Sequence, residues 1–382
     1  MSHTFQPAPE PPSELGRYRI LSSTAGVRVS PLAIGAMSIG KAWEKQMGSM
    51  SKEASYKLFD HYVAKGGNFI DTANNYQDEE SEEWIGDWMA EREIRDQMFI
   101  ATKYTTDFRG YKIGKGNSAN YSGNHRKSLH LSVRESLKKL KTDYIDLLYL
   151  HWWDWTTSIP EIMDSLHMLV EQGKVLYLGI SDTPAWVVSA CNEYAKANAK
   201  TPFSVYQGRW NILARDFERD IIPMARHYGM ALCPWDVIGG GRFKSSKQME
   251  ELEKSGSKIR SFVGGEQTEE EAKASATLEK IGNELGASLS AVALAYTMQK
   301  TRGVFPLVGG RKTEHLDDNI KALSLHLSDA QIEEIEKVKP FDLGFPMSFI
   351  SDDPTETGVS PMLVAASAQI AWQPKSKPIG HQ

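Results

Sequence analysis

Four side chains in this sequence can move a proton to or from an oxygen, and each stands just beyond an apolar run. Gly67-Asn68-Phe69-Ile70-Asp71-Thr72-Ala73-Asn74-Asn75-Tyr76 reads as a buried strand ending in a carboxylate, with a phenol following it. Phe99-Ile100-Ala101-Thr102 runs into Lys103, and Ile145-Asp146-Leu147-Leu148-Tyr149-Leu150 runs into His151. A carbonyl that accepts hydride develops negative charge on its oxygen and needs a nearby proton donor. A free phenol, with a pKa of roughly 10, holds its proton too tightly for easy exchange at neutral pH. An adjacent ammonium favours the phenolate and lowers that value. Tyr76 is therefore expected to be the acid, Lys103 its tuner, Asp71 the partner that keeps the lysine charged, and His151 the group that places the carbonyl. Such acid–base groups typically contribute about 10²–10⁴-fold. Singly, Asp71-Thr72 reads as a cap or turn, Lys103 as a solvated strand end, and His151 as a packed histidine. Their succession at three strand ends carries the chemical reading.

The elements that must position them recur in a regular order. Arg17–Leu21 and Val27–Val29 flank Thr24-Ala25-Gly26, a hairpin signal. Leu32–Gly35 follows as a strand, then a helix from about Ser51 with Leu58, Phe59, Tyr62 and Val63 on one face. Strands Phe69–Asp71, Met98–Thr102, Ile145–Leu150, Val175–Ile180, Phe203–Tyr206, Met230–Cys233 and Val304–Val308 alternate with helical patterns. These lie near Glu80–Arg92, His125–Leu140, Phe217–Tyr228, Leu289–Gln299 and Glu314–Leu323. Ser158 and Ser328 have capping-box spacing, Thr268 precedes an acidic helix start, and Thr183-Pro184 reads as an N-cap with proline at the first helical position. Eight strand–helix units imply a parallel sheet closed into a (β/α)8 TIM barrel, an α/β fold whose chemistry sits at the C-terminal strand ends. No Gly-x-Gly-x-x-Gly follows a strand, and Gly239-Gly240-Gly241 lacks that spacing, so a doubly wound dinucleotide fold is unsupported.

At 382 residues, with 41% hydrophobic residues, the chain can fill one large barrel. Residues 1–16 read as disordered or loosely attached, 17–350 as the barrel domain, and 351–382 as a tail. A net charge of −5 argues against nucleic acid or an anionic membrane as partner. The N-terminus lacks the apolar segment of a secretory signal, and no run reaches the ~20 apolar residues of a membrane span. Cys191 and Cys233 lack metal or redox spacing, which fits a reducing, cytoplasmic setting. The histidines show no ligand spacing, so no metal is expected. The acidic run Asp78–Glu83 reads as a solvated helix start suited to the helix dipole.

From about Gly16 to Ile350 the sequence resembles the aldo-keto reductase superfamily. Leu150-His151-Trp152-Trp153-Asp154, Gly179-Ile180-Ser181-Asp182-Thr183-Pro184-Ala185-Trp186 and Pro234-Trp235-Asp236 resemble the branch of fungal aryl-alcohol dehydrogenases and norsolorinic acid reductases. The resemblance implies an N-terminal hairpin capping the barrel floor and NADPH/NADP+ stretched across its mouth, against Asp71. It places Ser181, Asp182 and Gln207 on the carboxamide, with Asp182 where relatives usually carry Asn. Trp235 would stack on the nicotinamide, in a segment continuing through Asp236, Val237, Ile238 and Gly241. Lys244, Lys247 and Arg260 would close over the pyrophosphate, or else form a solvated basic loop. Gly309, Arg311, His315, Asp318 and Asn319 match the adenosine-phosphate segment. Arg311 or Lys312 could grip a 2′-phosphate, favouring NADPH over NADH.

Three loops are expected to wall the substrate pocket: Tyr104–Asn124, Trp152-Trp153-Asp154-Trp155, and the C-terminal segment Phe341–Ile350, joined by Trp43. Such an aromatic lining suits a bulky aryl or polycyclic carbonyl, though some of these rings could only pack the loops onto the barrel. The resemblance implies an NADPH-dependent reductase of aryl aldehydes or aromatic polyketide-type ketones, sometimes in secondary metabolism, acting as a monomer or weak homo-oligomer. The alternative is a cofactor-binding regulatory barrel like the potassium-channel-associated subunits. A barrel hydrolase or isomerase is a third class.

Overall fold

The computed structural model describes residues 5–254 and 266–372. An N-terminal hairpin pairs β1 (Arg19–Ser22) antiparallel with β2 (Ala25–Val29). Eight parallel strands follow: β3 (Ala33–Gly35), β4 (Phe69–Asp71), β5 (Phe99–Tyr104), β6 (Ile145–Leu150), β7 (Val175–Ser181), β8 (Phe203–Arg209), β9 (Ala231–Trp235) and β10 (Leu307–Val308). They pair in the order β10-β3-β4-β5-β6-β7-β8-β9. The ring closes where Leu232 bridges Val304 and receives the Phe305 amide on its carbonyl. This is the (β/α)8 TIM barrel read from the sequence. Its last strand is shorter than Val304–Val308, because Pro306 has no N–H to give a ladder; its carbonyl still accepts from Ala33.

Two apolar layers hold the barrel. The interior is filled by Leu21, Ala25 and Val29 of the hairpin together with Phe69, Phe99, Leu147, Val205 and Phe305, so the hairpin plugs the floor. The outer layer packs helices on the strands, for example Leu58 and Phe59 of Lys52–Ala64 and Trp88 of Glu80–Arg92. Ahead of the hairpin, Leu15 is fully buried and the Ser13 hydroxyl donates to the Lys65 carbonyl at 2.7 Å. At the other end, residues 351–372 form two short helices, Pro354–Thr357 and Met362–Ala365, with Met362, Leu363 and Val364 exposed. Among the described residues no helix is long and apolar enough to cross a membrane.

Several local readings change. The helix after β7 is Ala185–Ala197 with Pro184 itself at the N-cap, because the Thr183 hydroxyl turns back to the Ser181 carbonyl at 2.7 Å. Ser158 and Ser328 cap as expected, and Thr268 closes a capping box with Glu271, but Glu161 accepts from the Arg126 amide instead of closing the box on Ser158. The helix after β8 is Ile221–Tyr228, preceded by a separate turn at Asp216–Glu218. The acidic run is not a solvated helix start: Glu79 is 2% exposed and Glu82 fully buried. Lys139 reaches them at 3.1 and 2.7 Å.

That reach depends on Gly86. A Cβ there would lie 2.1 Å from the Lys139 carbonyl oxygen, so only glycine lets helix Glu80–Arg92 lie against the end of helix Arg126–Lys139. Alanine in a helix is normally favoured over glycine by about 1 kcal/mol. Here Gly86→Ala is expected to destabilise the fold by roughly 1–3 kcal/mol through overpacking. Urea unfolding of the variant checks the sign.

Candidate active site

Side chains on a strand alternate between faces, and that register builds the site. Phe69 fills the interior, so Asp71, two residues on, also points inward at the strand's C-terminal end. The same step leads from Phe99 through Ala101 to Lys103, from Leu147 through Tyr149 to His151, and from Val205 to Gln207. Apolar side chains occupy the floor and polar ones the mouth.

Lys103 is fully buried. Its ammonium is paired with the Asp71 carboxylate, donates to the Thr72 carbonyl at 2.8 Å and lies 3.4 Å from the Tyr76 hydroxyl. The ammonium also sits 5.0 Å from the centre of the Tyr76 ring. Burial pushes against its charge, but Asp71 more than compensates and raises its pKa. The Tyr76 phenol is raised above its ordinary value: burial outweighs the downward pull of Lys103, so the ammonium limits the rise without producing a net lowering. His151 meets Tyr76 edge-on with ring centres 5.9 Å apart, and its Nδ1 lies 3.3 Å from the Thr106 hydroxyl. Burial, reinforced by Lys103, holds its imidazole well below the usual histidine range. It is therefore neutral at pH 7.

Gln207 is buried with its amide donating to the second Asp71 oxygen at 2.9 Å, a contact the sequence did not suggest. Ser181 Oγ is buried without a hydrogen-bond partner at the mouth end of β7. An orphaned hydroxyl there fits a ligand amide, and so supports a nicotinamide carboxamide at this position. Asp182 stands beside it in a left-handed backbone conformation, accepting from the Trp235 indole at 3.3 Å. Burial of its carboxyl raises the pKa to about 6. Trp235 is half-buried at the end of β9, while Val237 and Ile238 follow it into the apolar layers. Asp236 is engaged by Arg209 at 2.7 Å and by the Asn211 amide. Gly241 closes a short turn at positive φ with open space where a side chain would stand.

Gly309 and Gly310 lead from β10 into helix Thr313–Lys321. With Lys312 and buried Asn319 they line a small cavity. Arg311 crosses the backbone of Gly48, where a Cβ would meet its guanidinium at 2.4 Å. His315 is held below its ordinary pKa by burial and by Lys312 and Lys244, which marks the two lysines as its neighbours. Among the described residues no carboxylate ion-pairs with Lys244, Arg311 or Lys312. A cationic patch of this kind suits a phosphate. Asp318 instead accepts from the Ser288 hydroxyl that caps the neighbouring helix. Lys247 is exposed on helix Ser246–Lys254, and Arg260 lies outside the described residues. The described residues hold no group of three or more metal-ligating side chains.

The expected aromatic wall divides. Trp43 approaches Tyr76 edge-on at 6.3 Å and donates to Asp78 at 2.9 Å. Trp152 is partly exposed, with its indole on the Thr106 hydroxyl, whereas Trp153 packs against the outer core. Trp155 is exposed and tilts against exposed Trp186 at 6.4 Å. Asn124 and Asp154 tie the two loops together, each accepting the other's backbone N–H, at 2.7 and 2.9 Å. Phe341 lies under Arg215 and Arg219, and Arg219 donates to the Leu343 carbonyl. Phe345, Phe349 and Ile350 stay exposed.

The sequence model of the Aldo/keto reductase family matches residues 31–340. A Saccharomyces cerevisiae protein named as an aryl-alcohol dehydrogenase is 62% identical over 97% of this chain and 100% of its own. Aldo-keto reductase ausK of Aspergillus calidoustus is 57% identical over 99% of this chain and 96% of its own. Norsolorinic acid reductase of Aspergillus flavus is 49% identical over 97% and 95%.

Asp182 gains a proton near pH 6, and His315 is held below its ordinary pKa by burial and its lysine neighbours, so that each proton gained on acidification would favour an anionic dinucleotide with an amide head. NADPH binding is therefore expected to tighten as pH falls from 7 to 5. Asp182→Asn, which is permanently neutral, should show a shallower slope, with the remainder due to His315. Fluorescence titration of both proteins across that range measures the difference.

Proposed function

This chain belongs to the aldo/keto reductase family and is an oxidoreductase acting on carbonyl or CH–OH groups, and we propose that it reduces aryl aldehydes or aromatic polyketide-type ketones with NADPH. The family as a whole uses NAD(P)H. The reading rests chiefly on one observation: the Tyr76 hydroxyl and the buried Lys103 ammonium lie 3.4 Å apart at the barrel mouth, with Asp71 behind the lysine. Names of relatives support the aryl and polyketide substrates, and so do the Trp43 ring beside Tyr76 and the Trp152 indole on Thr106, the threonine that also contacts His151.

A bound reduced nicotinamide would supply the hydride, held by Ser181, Asp182 and Gln207 at its amide and by Arg311 and Lys312 at its phosphate. Tyr76 is protonated at neutral pH and delivers its proton to the oxygen as charge develops there. The phenolate left behind is stabilised by Lys103, whose charge Asp71 maintains. His151 is neutral; in the tautomer whose Nδ1 accepts from the Thr106 hydroxyl, its Nε2 carries the proton and donates to the same oxygen. A donor aimed at developing charge in a site of low polarity acts mainly on the transition state. A cytoplasmic location belongs to the same proposal, supported by two buried free cysteines, Cys191 and Cys233, and a monomeric or weakly associated state is proposed with it.

The wild type is expected to consume NADPH in the presence of an aryl aldehyde, followed at the reduced-nicotinamide absorbance. Tyr76→Phe should lower kcat by about 10²–10⁴-fold while NADPH still quenches tryptophan fluorescence. A wild type that binds NADPH but turns over no member of a carbonyl panel would return the regulatory-barrel reading. Lys312→Ala with Arg311→Ala should raise KM for NADPH roughly tenfold or more, in line with loss of charge-assisted phosphate contacts, and leave KM for NADH nearly unchanged.

A further inference from the structure

The residues just after Tyr76 adopt a conformation that side chains disfavour. Gln77, Asp78 and Glu79 follow one another with φ of 53°, 51° and 83°. Three consecutive left-handed residues, none of them glycine, persist only where surrounding contacts impose them. Those contacts come from both sides. Gln77 accepts from the Trp43 amide and donates to the Met37 carbonyl, each at 2.9 Å, and Asp78 accepts the Trp43 indole. Glu79 is gripped by Arg109 at 3.1 Å, Tyr111 at 2.9 Å and Lys139 at 3.1 Å. Lys139 also donates to the Asn74 carbonyl at 3.0 Å, inside the turn that carries Tyr76.

Arg109 and Tyr111 belong to the long loop after β5. The same loop supplies Thr105 and Thr106 to His151 and Trp152. One loop therefore braces both groups that must converge on a single oxygen. Resting on the carbonyl-reductase reading above, we infer that Glu79 is a positioning residue: its lock with Arg109 and Tyr111 makes the seating of loop 105–124 and the placement of the Tyr76 phenol one event. The carboxylate never meets substrate. It fixes the bend from which the phenol is presented, and the loop's closure supplies the force that keeps the bend.

The test starts from the loop side, where the barrel's own Lys139–Glu82 pair is left intact. Arg109→Met and Tyr111→Phe, singly and combined, are expected to lower kcat by roughly 10- to 100-fold, the scale of a small misplacement of a reacting group, with NADPH affinity unchanged in protein that is still folded at the assay temperature. In a Tyr76→Phe background the loop changes should cost clearly less rate than in the wild type, because the share of their effect that passes through the phenol is already gone. Independently of turnover, trypsin should cut faster after exposed Lys112 or Lys115 in the Arg109→Met protein, reporting local opening. Glu79→Gln should reproduce the kinetic and proteolytic effects. Equal losses from Arg109→Met with and without the Tyr76 hydroxyl, or faster cleavage with kcat unchanged, would overturn the inference. Absence of any carbonyl turnover in the wild type, with the proteolytic effect present, would instead count against the functional reading and leave the lock standing.

Discussion

A lysine ammonium buried to zero exposure is the constraint around which this barrel is built. Lysine is almost never fully buried unless paired, and stripping a partner from a buried ion pair typically costs about 3–5 kcal/mol. Asp71 must therefore end β4 where Lys103 nearly ends β5, and the Thr72 carbonyl must turn inward to accept a further hydrogen bond from the ammonium. Gln207, across the barrel, occupies the carboxylate oxygen the lysine leaves free. The charge that conditions the phenol is thus also a structural element. Its placement is inherited from strand register, which explains why the same alternation that fills the floor with Phe69 and Phe99 delivers Asp71 and Lys103 to the mouth.

That alternation was legible before any coordinates. Apolar runs ending in Asp71, Lys103 and His151 gave both the barrel and the convergence of its chemistry. What escaped the sequence were partners supplied by distant segments. Gln207 reads as a ligand-binding residue, and nothing in the sequence shows that its amide also stands on Asp71. The acidic run 78–83 reads as solvated because charge near a helix start usually is. A signal was nevertheless present. In helix Arg126–Lys139 the buried positions are Ser128, Leu129, Ser132, Val133, Ser136 and Lys139, so the lysine falls on the inward stripe at helical spacing. In helix Glu80–Arg92, Glu82 shares a stripe with Ile85 and Met89. Two opposite charges on two apolar stripes announce a buried pair. The left-handed bend at 77–79 had no such signal, since it carries no glycine.

Burial and charge also compete at the phenol, and the outcome corrects a simple electrostatic expectation. An ammonium alone would make Tyr76 more acidic, yet enclosure makes it less so. The acid is consequently kept fully protonated at neutral pH, and the ammonium acts chiefly on the anion that remains once the proton has left. Asp182 adds a second negative group to the same surroundings and opposes that anion. Its own proton affinity, near pH 6, decides how strongly it does so.

The reciprocal Asn124–Asp154 tie separates two properties that enzymes often confound. It fastens neighbouring loops by placing each backbone N–H on the other residue's side-chain oxygen, whatever aromatic rings those loops display. Trp155 hangs from that mount without helping to hold it, faced by Trp186 of helix Ala185–Ala197, whereas Trp152 adds its own indole bond to Thr106. The rim is in effect an interchangeable fitting: its indoles can drift in evolution, or be swapped by an engineer, to admit differently shaped guests while the proton-handling machinery beneath stays in alignment.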